Sequence, residues 1–390
     1  MRSALCEIMI ARHIEKLAPS GIREFFDLVL GMPEVISLGV GEPDFITPWR
    51  IREKAITALE EGMTTYTSNK GLFVLRKAIA EFFAKKYSLI YDPEEEIVIT
   101  VGVSEGLDLA LRAILEPRDK VIVVSPYFVA YPALVEIAGG KILPLVTREE
   151  DAFKIDLKKL KALVKENPKA MILNNPCNPT GTTYTETELM KIWRVLADKK
   201  TLVISDEVYD ELNYKGKSTP FASLSTEAKR RTILLNGFSK AYAMTGFRLG
   251  YACANRDIIS AMTKIHSFSM MCAPIVSQVA ACEALKAQKE VIQMRVEYKR
   301  RRNFIVKELN RLGLSLKKPQ GAFYCFASLK KYSISSLEFA KRLLFEEKVA
   351  VVPGKAFGKE FDSYIRISYA TSFDDLKEAV IRIEKFLSKL

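Results

Sequence analysis

Lys240 and Arg248 stand eight residues apart in ILLNGFSKAYAMTGFRLG, residues 233–250. The stretch opens with Ile233, Leu234 and Leu235, as a buried strand would, and Asn236 and Gly237 then break the apolar run. A lysine just past a buried strand is partly desolvated. Desolvation favours the neutral amine, the form that attacks carbonyls. An arginine in the same loop holds a dianionic phosphate through a fork of charged hydrogen bonds. The loop therefore offers an amine for an aldehyde and a clamp for a phosphate. Taken alone, the two residues read equally well as surface charges in a chain rich in both.

Five other short stretches carry chemistry. In VGVSEG (101–106) a strand ends at Gly102 and a helix is predicted from about Ser104. Free amides there, with the Ser104 hydroxyl, suit an anion, or Ser104 is a plain N-cap. SPYFVAY (125–131) sets a proline and three aromatics after a strand. Phe128, Tyr127 or Tyr131 could cover a flat heteroaromatic ring, or all three could be core. NNPCNPTG (174–181) is a turn with two Asn-Pro steps, from which Asn178 could reach a ligand hydroxyl. SDEVYDEL (205–212) sets Asp206 just past a buried strand and Tyr209 three residues on. A carboxylate there keeps a facing ring nitrogen protonated, so that the ring stabilises a carbanion, or it caps a helix. In YIRISYATS (364–372), Arg366 lies in an alternating strand, where it could clamp a carboxylate by two parallel bonds or simply face solvent. Together these supply an amine, a phosphate clamp, a ring cover, a hydroxyl partner, a ring-nitrogen partner and a carboxylate clamp. That set fits pyridoxal 5'-phosphate.

The elements that must position these groups follow from periodicity. Apolar runs at 97–100, 121–124, 170–173, 201–205 and 232–236 alternate with helical patterns, and the chemistry-bearing residues fall just after the runs. This is the signature of an α/β chain with an open, largely parallel sheet and helices on both faces, whose ligands bind beyond the carboxyl ends of the strands. Helices are predicted over 49–61, 72–87, from about 283 to 311, over 335–347 and over 373–388, and strands at GAFYCF and VAVVP. Residues 1–35 read as two helical pieces broken at Pro19-Ser20-Gly21 and Gly31-Met32-Pro33. The expected organisation is a large cofactor-binding domain over 46–290 and a small α+β domain over 291–390, which an N-terminal segment, 1–45, joins. The G-x-G of ISLGVGEPDFITP (36–48) precedes no helix of the dinucleotide-binding kind.

Composition narrows the function. With 390 residues, 48% of them hydrophobic, the chain can build a core of good size. The net charge of +12 would permit nucleic-acid binding, but its basic residues are interleaved with acids and no basic arm is present, so none is expected. Two histidines, His13 and His266, argue against a zinc site or a histidine-activated nucleophile. Six cysteines without a C-x-x-C pair suit a reducing compartment. The N-terminus does not read as a signal peptide and no run is long enough to span a membrane, so a cytoplasmic protein is expected.

From SLGVGEPDF (37–45) to RISYA (366–370), through NPTG, SDEVY and GFSKAYAMTGFRLG in that order, the chain resembles the class I/II aminotransferases of fold type I, closely those of the archaeal and thermophile branch that act on aromatic amino acids and aspartate. The resemblance implies pyridoxal-phosphate-dependent transamination between an L-amino acid and a 2-oxo acid such as 2-oxoglutarate, in ping-pong order. It implies that Lys240 carries the cofactor and shuttles the substrate proton, that Asp206 pairs with the ring nitrogen, and that Asn178 and Tyr209 bond the phenolic oxygen. Phe128 matches the ring-stacking position. Val103, Ser104 and Arg248 match the phosphate site, and Arg366, the Gly39 backbone and Asn178 the site of the substrate carboxylate. Tyr66, in TTYTSNKG, matches a tyrosine that reaches the phosphate of a neighbouring subunit, which implies a homodimer with shared sites. Gly237 stands where the family often has serine, with Ser239 as the substitute hydroxyl, and Phe247 stands where tryptophan is common. Two other readings share parts of this pattern: a carbon–sulfur lyase of the same fold, and a pyridoxal-phosphate-sensing regulator, for whose DNA-binding domain residues 1–36 leave no room. The distal pocket is expected near Ser20-Gly21-Ile22, Tyr66 to Lys70 and Ser267 to Met271, without a dedicated arginine. Replacing the amine, Lys240→Ala, should abolish turnover; oxo-acid formation near the wild-type rate would remove Lys240 from the mechanism.

Overall fold

A computed structural model describes residues 10–15, 17 and 32–390. The predicted break at Pro19-Ser20-Gly21, the distal-pocket candidates Ser20 to Ile22, and Cys6 lie outside the described residues. The strands, in chain order, are β1 (Ile36–Ser37), β2 (Ile97–Thr100), β3 (Lys120–Ser125), β4 (Lys141–Val146), β5 (Ala170–Asn174), β6 (Leu202–Asp206), β7 (Thr232–Gly237), β8 (Gly250–Cys253), β9 (Tyr324–Ser328), β10 (Val349–Ala350), β11 (Val352–Pro353) and β12 (Tyr364–Ser368). Seven of them form one sheet in the order β2-β8-β7-β6-β5-β3-β4. Strand β8 runs opposite to the other six, so its pairings with β2 and β7 are antiparallel and the rest are parallel.

Burial on both faces explains the apolar runs. In β5, Met171 and Leu173 join one hydrophobic cluster while Ile172 joins another, and in β6 Val203 and Ile204 divide in the same way. One face packs Leu160 and the side chains Leu189, Ile192, Trp193 and Leu196 of the helix Glu186–Ala197. The other packs Leu107, Leu111, Tyr131, Val135, Ile259 and Met262, from three helices. A strand covered on both faces reads as continuous hydrophobics, which made the parallel strands legible.

Several boundaries differ from expectation. The helix after β2 begins at Gly102, so β2 ends at Thr100 and Ser104 lies within the first turn instead of capping it. The long C-terminal helix begins at Gln288, after a separate helix Ile275–Ala284, so residue 290 falls inside it. VAVVP is two short strands, not one: β10 pairs in parallel with β1, and β11 pairs with β12 in the antiparallel sheet β11-β12-β9. Strands β4 and β8 had no clear sequence signal. Strand β4 is an edge strand containing Pro144, and the apolar run of β8 is shortened by its opening glycine. Among the described residues no helix is long and apolar enough to cross a membrane.

The close approach of β8 to the helix Gly102–Ile114 requires glycine. A Cβ on Gly250 would lie 2.7 Å from both the Gly102 carbonyl carbon and the Val103 nitrogen. Its register partner Gly237 is less confined but still tight, since a Cβ there would sit 3.0 Å from the Gly250 Cα and 3.1 Å from Val103 Cγ2. A serine at 237 would need its neighbours to give by a few tenths of an ångström, so glycine suits this close approach. Gly250→Ala should destabilise the fold by about 1–3 kcal/mol through backbone displacement; a chemical-denaturation midpoint equal to wild type would contradict this.

Candidate active site

Chain direction brings the chemistry to one edge. The carboxyl ends of β2, β3, β5, β6 and β7 lie along one side of the sheet, and β8, running the other way, begins there just after Arg248. A cavity of about 570 Å³ opens at this edge. Val103, Ser104, Phe128, Asn178, Asp206, Tyr209, Ser239, Lys240, Arg248 and Arg366 all line it. Gly39 and Tyr66 do not. Gly39 is buried against Arg366, and Tyr66 is 80% exposed on its loop.

The Lys240 ammonium donates to the Gly41 carbonyl at 2.7 Å. Burial lowers its pKa to about 8, and Arg366 and Arg248 push the same way while Glu42 and Asp206 oppose them. Lys240 has no ion-pair partner within 4.0 Å among the described residues. Asp206, the last residue of β6, is buried. Its Oδ2 accepts from the Tyr131 hydroxyl at 2.6 Å and its Oδ1 from the Val208 amide at 3.2 Å. Burial raises its pKa, and the Tyr131 and Val208 hydrogen bonds and the Lys240 charge act in the other direction. The helix-cap alternative fails here: the short helical turn that follows starts at Asp210, and Tyr209, not Asp206, precedes it. Of the three aromatics considered for ring cover, Phe128 faces the cavity, Tyr127 does not line it, and the hydroxyl of Tyr131 is engaged with Asp206. Phe128 meets the Tyr131 ring edge-on at 5.6 Å.

One end of the cavity is lined by the start of the helix Gly102–Ile114 and by Arg248. Gly102 opens its helix with φ of +75°, and a Cβ there would lie 2.8 Å from Arg248 Nη2. The first amides of the helix have no partner within it and lie beside the guanidinium, the arrangement that binds anions. The amide of Val101 donates to the carboxylate of Glu105, which also bonds His266 Nδ1 at 2.7 Å. Arg248 is exposed, donates to the Thr245 carbonyl at 3.1 Å, and has no carboxylate partner within 4.0 Å among the described residues. Phe247 packs on the main core, and its carbonyl accepts from Ser277.

Arg366 is buried on β12, not solvent-facing. Its Nη1 donates to Asn178 Oδ1 at 3.1 Å and its Nη2 to the Gly39 carbonyl at 2.6 Å, while its Nε is buried without a partner. Gly39 therefore presents its carbonyl to Arg366 and helps to orient the clamp. The guanidinium lies 4.4 Å from the centre of the Tyr324 ring, and the Tyr324 and Tyr209 hydroxyls are 2.9 Å apart. Sequence reasoning missed Tyr324, Glu42, Gly41, Asn174 and the bonding role of Tyr131. Tyr324 stands in the predicted strand GAFYCF, but only the pairing of β9 with β12 brings it to Arg366. Asn174 bonds the Asp206 carbonyl and the Asn178 amide, contacts that need the β5–β6 register.

A near-neutral amine facing an anion cradle across one cavity is equipment for moving amino groups. Comparison with known proteins agrees: the chain belongs to the class I and II aminotransferases, whose family model matches residues 33–383, and it is an aminotransferase of fold type I. Enzymes of this family generally depend on pyridoxal phosphate. The chain is 47% identical to a putative aminotransferase, YugH, of Bacillus subtilis over 97% of its own length and 98% of that protein's. It is 44% identical to an aspartate aminotransferase of Pyrococcus abyssi, covering 96% of this chain and 97% of that one. The solved aromatic aminotransferase of Pyrococcus horikoshii superposes with a TM-score of 0.89 at 41% identity, over 94% of this chain and 99% of that one.

The lowered pKa of Lys240 sets the direction of its pH response. The amine is neutral, hence nucleophilic, above about pH 8. Its reaction with a small aldehyde in the cofactor-free protein, read by peptide mass spectrometry, should rise with a midpoint near 8; a midpoint near the ordinary lysine value of 10.5 would show that burial does not control it.

Proposed function

We propose that the cavity holds pyridoxal 5'-phosphate and that the chain moves the amino group of an L-amino acid, aromatic, aspartate or a broader range, to 2-oxoglutarate in ping-pong order. The single observation that carries this reading is that Lys240, Asp206, Arg248 and Arg366 line one cavity with distinct chemistries. The residues fit the cofactor on independent grounds. Gly102 leaves a cradle that a Cβ would fill, Arg248 has no carboxylate partner within 4.0 Å among the described residues, and Arg366 keeps a buried unpaired Nε beside the same cavity.

Bound there, the group supplies an aldehyde that takes up the substrate amine and a protonated ring that withdraws electrons from the substrate carbon. Lys240 holds the aldehyde carbon between turnovers and moves the proton at the substrate Cα. Asp206 keeps the ring nitrogen protonated, and Asn178 and Tyr209 bond the ring hydroxyl. Phe128 covers one ring face. The amides at Val103, the hydroxyls of Ser104 and Ser239, and Arg248 hold the phosphate. Arg366 and the Gly39 backbone bind the substrate carboxylate, with Asn178 assisting and, by its bond to Arg366, fixing the plane of the guanidinium.

The same reading includes a homodimer in which Tyr66 serves the partner's phosphate site. In support, Tyr66 is 80% and Phe268 89% exposed, and the Asn69 side chain donates to the Met271 carbonyl, so the loop that carries Tyr66 lies beside a segment with exposed Phe268, Met270 and Met271. The division into a large unit, 46–290, and a small one, 291–390, is supported by the separate sheets, with β1 attaching the N-terminal segment to β10. A cytoplasmic setting is supported by the five cysteines among the described residues, all of them free. A panel of amino donors against 2-oxoglutarate tests the function. Glutamate should form only when donor and acceptor are both present, with phenylalanine, tyrosine or aspartate among the good donors; oxo-acid and ammonia release without an acceptor would overturn the reading.

A further inference from the structure

Asp206 is buried at the cavity, and each of its carboxylate oxygens accepts one hydrogen bond. One donor is the Val208 amide of its own segment. The other is Tyr131, from the first turn of the helix Ala130–Ile137, across the sheet edge. The geometry points to Tyr131 as a positioning residue for Asp206: its phenol fixes the carboxylate as an ionised acceptor aimed at the cavity, so that a facing pyridine nitrogen keeps its proton. This rests on the cofactor reading above.

Three features favour that role over simple packing. At 2.6 Å the hydrogen bond is of the short, charge-assisted kind. Both side chains are buried, so water does not compete. The Tyr131 ring also braces Phe128 edge-on, so one residue sets both the ring-nitrogen partner and the ring cover. Burial alone drives Asp206 toward its neutral form. A neutral Asp206 would carry the proton that the ring nitrogen needs. Lys240 and Tyr131 face it from other elements, with Tyr209 and Glu207 on its own segment and Cys177 near Tyr131 on the turn after β5. The phenol itself, pushed well above its usual range by burial, stays a donor at every working pH.

Tyr131→Phe keeps the ring and removes the hydroxyl. Titration of the cofactor-free protein with pyridoxal phosphate, followed by absorbance, should show binding weakened about tenfold, the scale of one hydrogen bond to a charged group. With that hydrogen bond gone, Asp206 protonates at higher pH, so binding should be lost at a higher pH as the solution is acidified. In an Asp206→Asn background the same substitution should change binding less than about twofold, because the coupling is already removed. Equal weakening in both backgrounds, or wild-type binding and an unmoved acid midpoint in Tyr131→Phe, would overturn the inference alone. A wild-type protein that takes up no pyridoxal phosphate would overturn the cofactor reading beneath it as well.

Discussion

Everything at this site depends on taking Lys240 out of water without giving it a counter-ion. An ammonium paired closely with a carboxylate would stay protonated and inert. Here it has one close acceptor, an uncharged carbonyl, and the formal charges around it are balanced between two acids and two arginines. Desolvation then dominates and the amine drops toward neutrality. That arrangement is costly for folding, and the sheet beneath it bears the cost. Strands β2, β5 and β7 are buried at every position, with clusters of aliphatic side chains on both faces. The rigid edge of that sheet lets the segments that follow β2, β3, β5, β6 and β7 present their groups without needing to be rigid themselves.

The cavity's charge follows the same logic. Lys240, Arg248 and Arg366 face Asp206 and Glu42, an excess of one positive charge at the lining. The excess is not spread evenly. Arg248 and the amides of the helix Gly102–Ile114 sit at one end, and Arg366 sits on a different sheet. Two anionic groups of a ligand can thus be held apart, with the reacting amine between them. The positive balance of the whole chain, +12, works in the same direction by drawing small anionic molecules toward the surface.

Much of this was legible in the sequence because parallel strands buried on both faces announce themselves as apolar runs, and the groups after them follow in order. Ten of the expected residues, Lys240 and Asp206 among them, share the cavity lining. What was not legible depended on register or on edges. The bond between Tyr131 and Asp206 joins residues 75 apart in sequence, and nothing in SPYFVAY distinguishes a stacking tyrosine from a donor. Strand β8 is four residues long and antiparallel, so the alternation of strand and helix gave no hint of it. The helix after β2 starts earlier than a serine cap suggests because Gly102 can adopt a positive φ and turn the chain at once.

The stretch from Gly39 to Gly41 contributes two carbonyls, one to each of the cavity's innermost cations. Arg366 is held by Gly39 and Lys240 by Gly41, so each of the two cations already has a peptide carbonyl as a partner. A ligand entering the cavity makes an exchange of partners. A neutral molecule offers nothing better than a peptide carbonyl and gains little, whereas a carboxylate brings charge and a second oxygen. Discrimination between acids and neutral amines is therefore built into three residues of backbone. Because that backbone continues from β1, which is tied to β10, releasing its hold on the two cations would be felt at the join between the N-terminal segment and the C-terminal part of the chain.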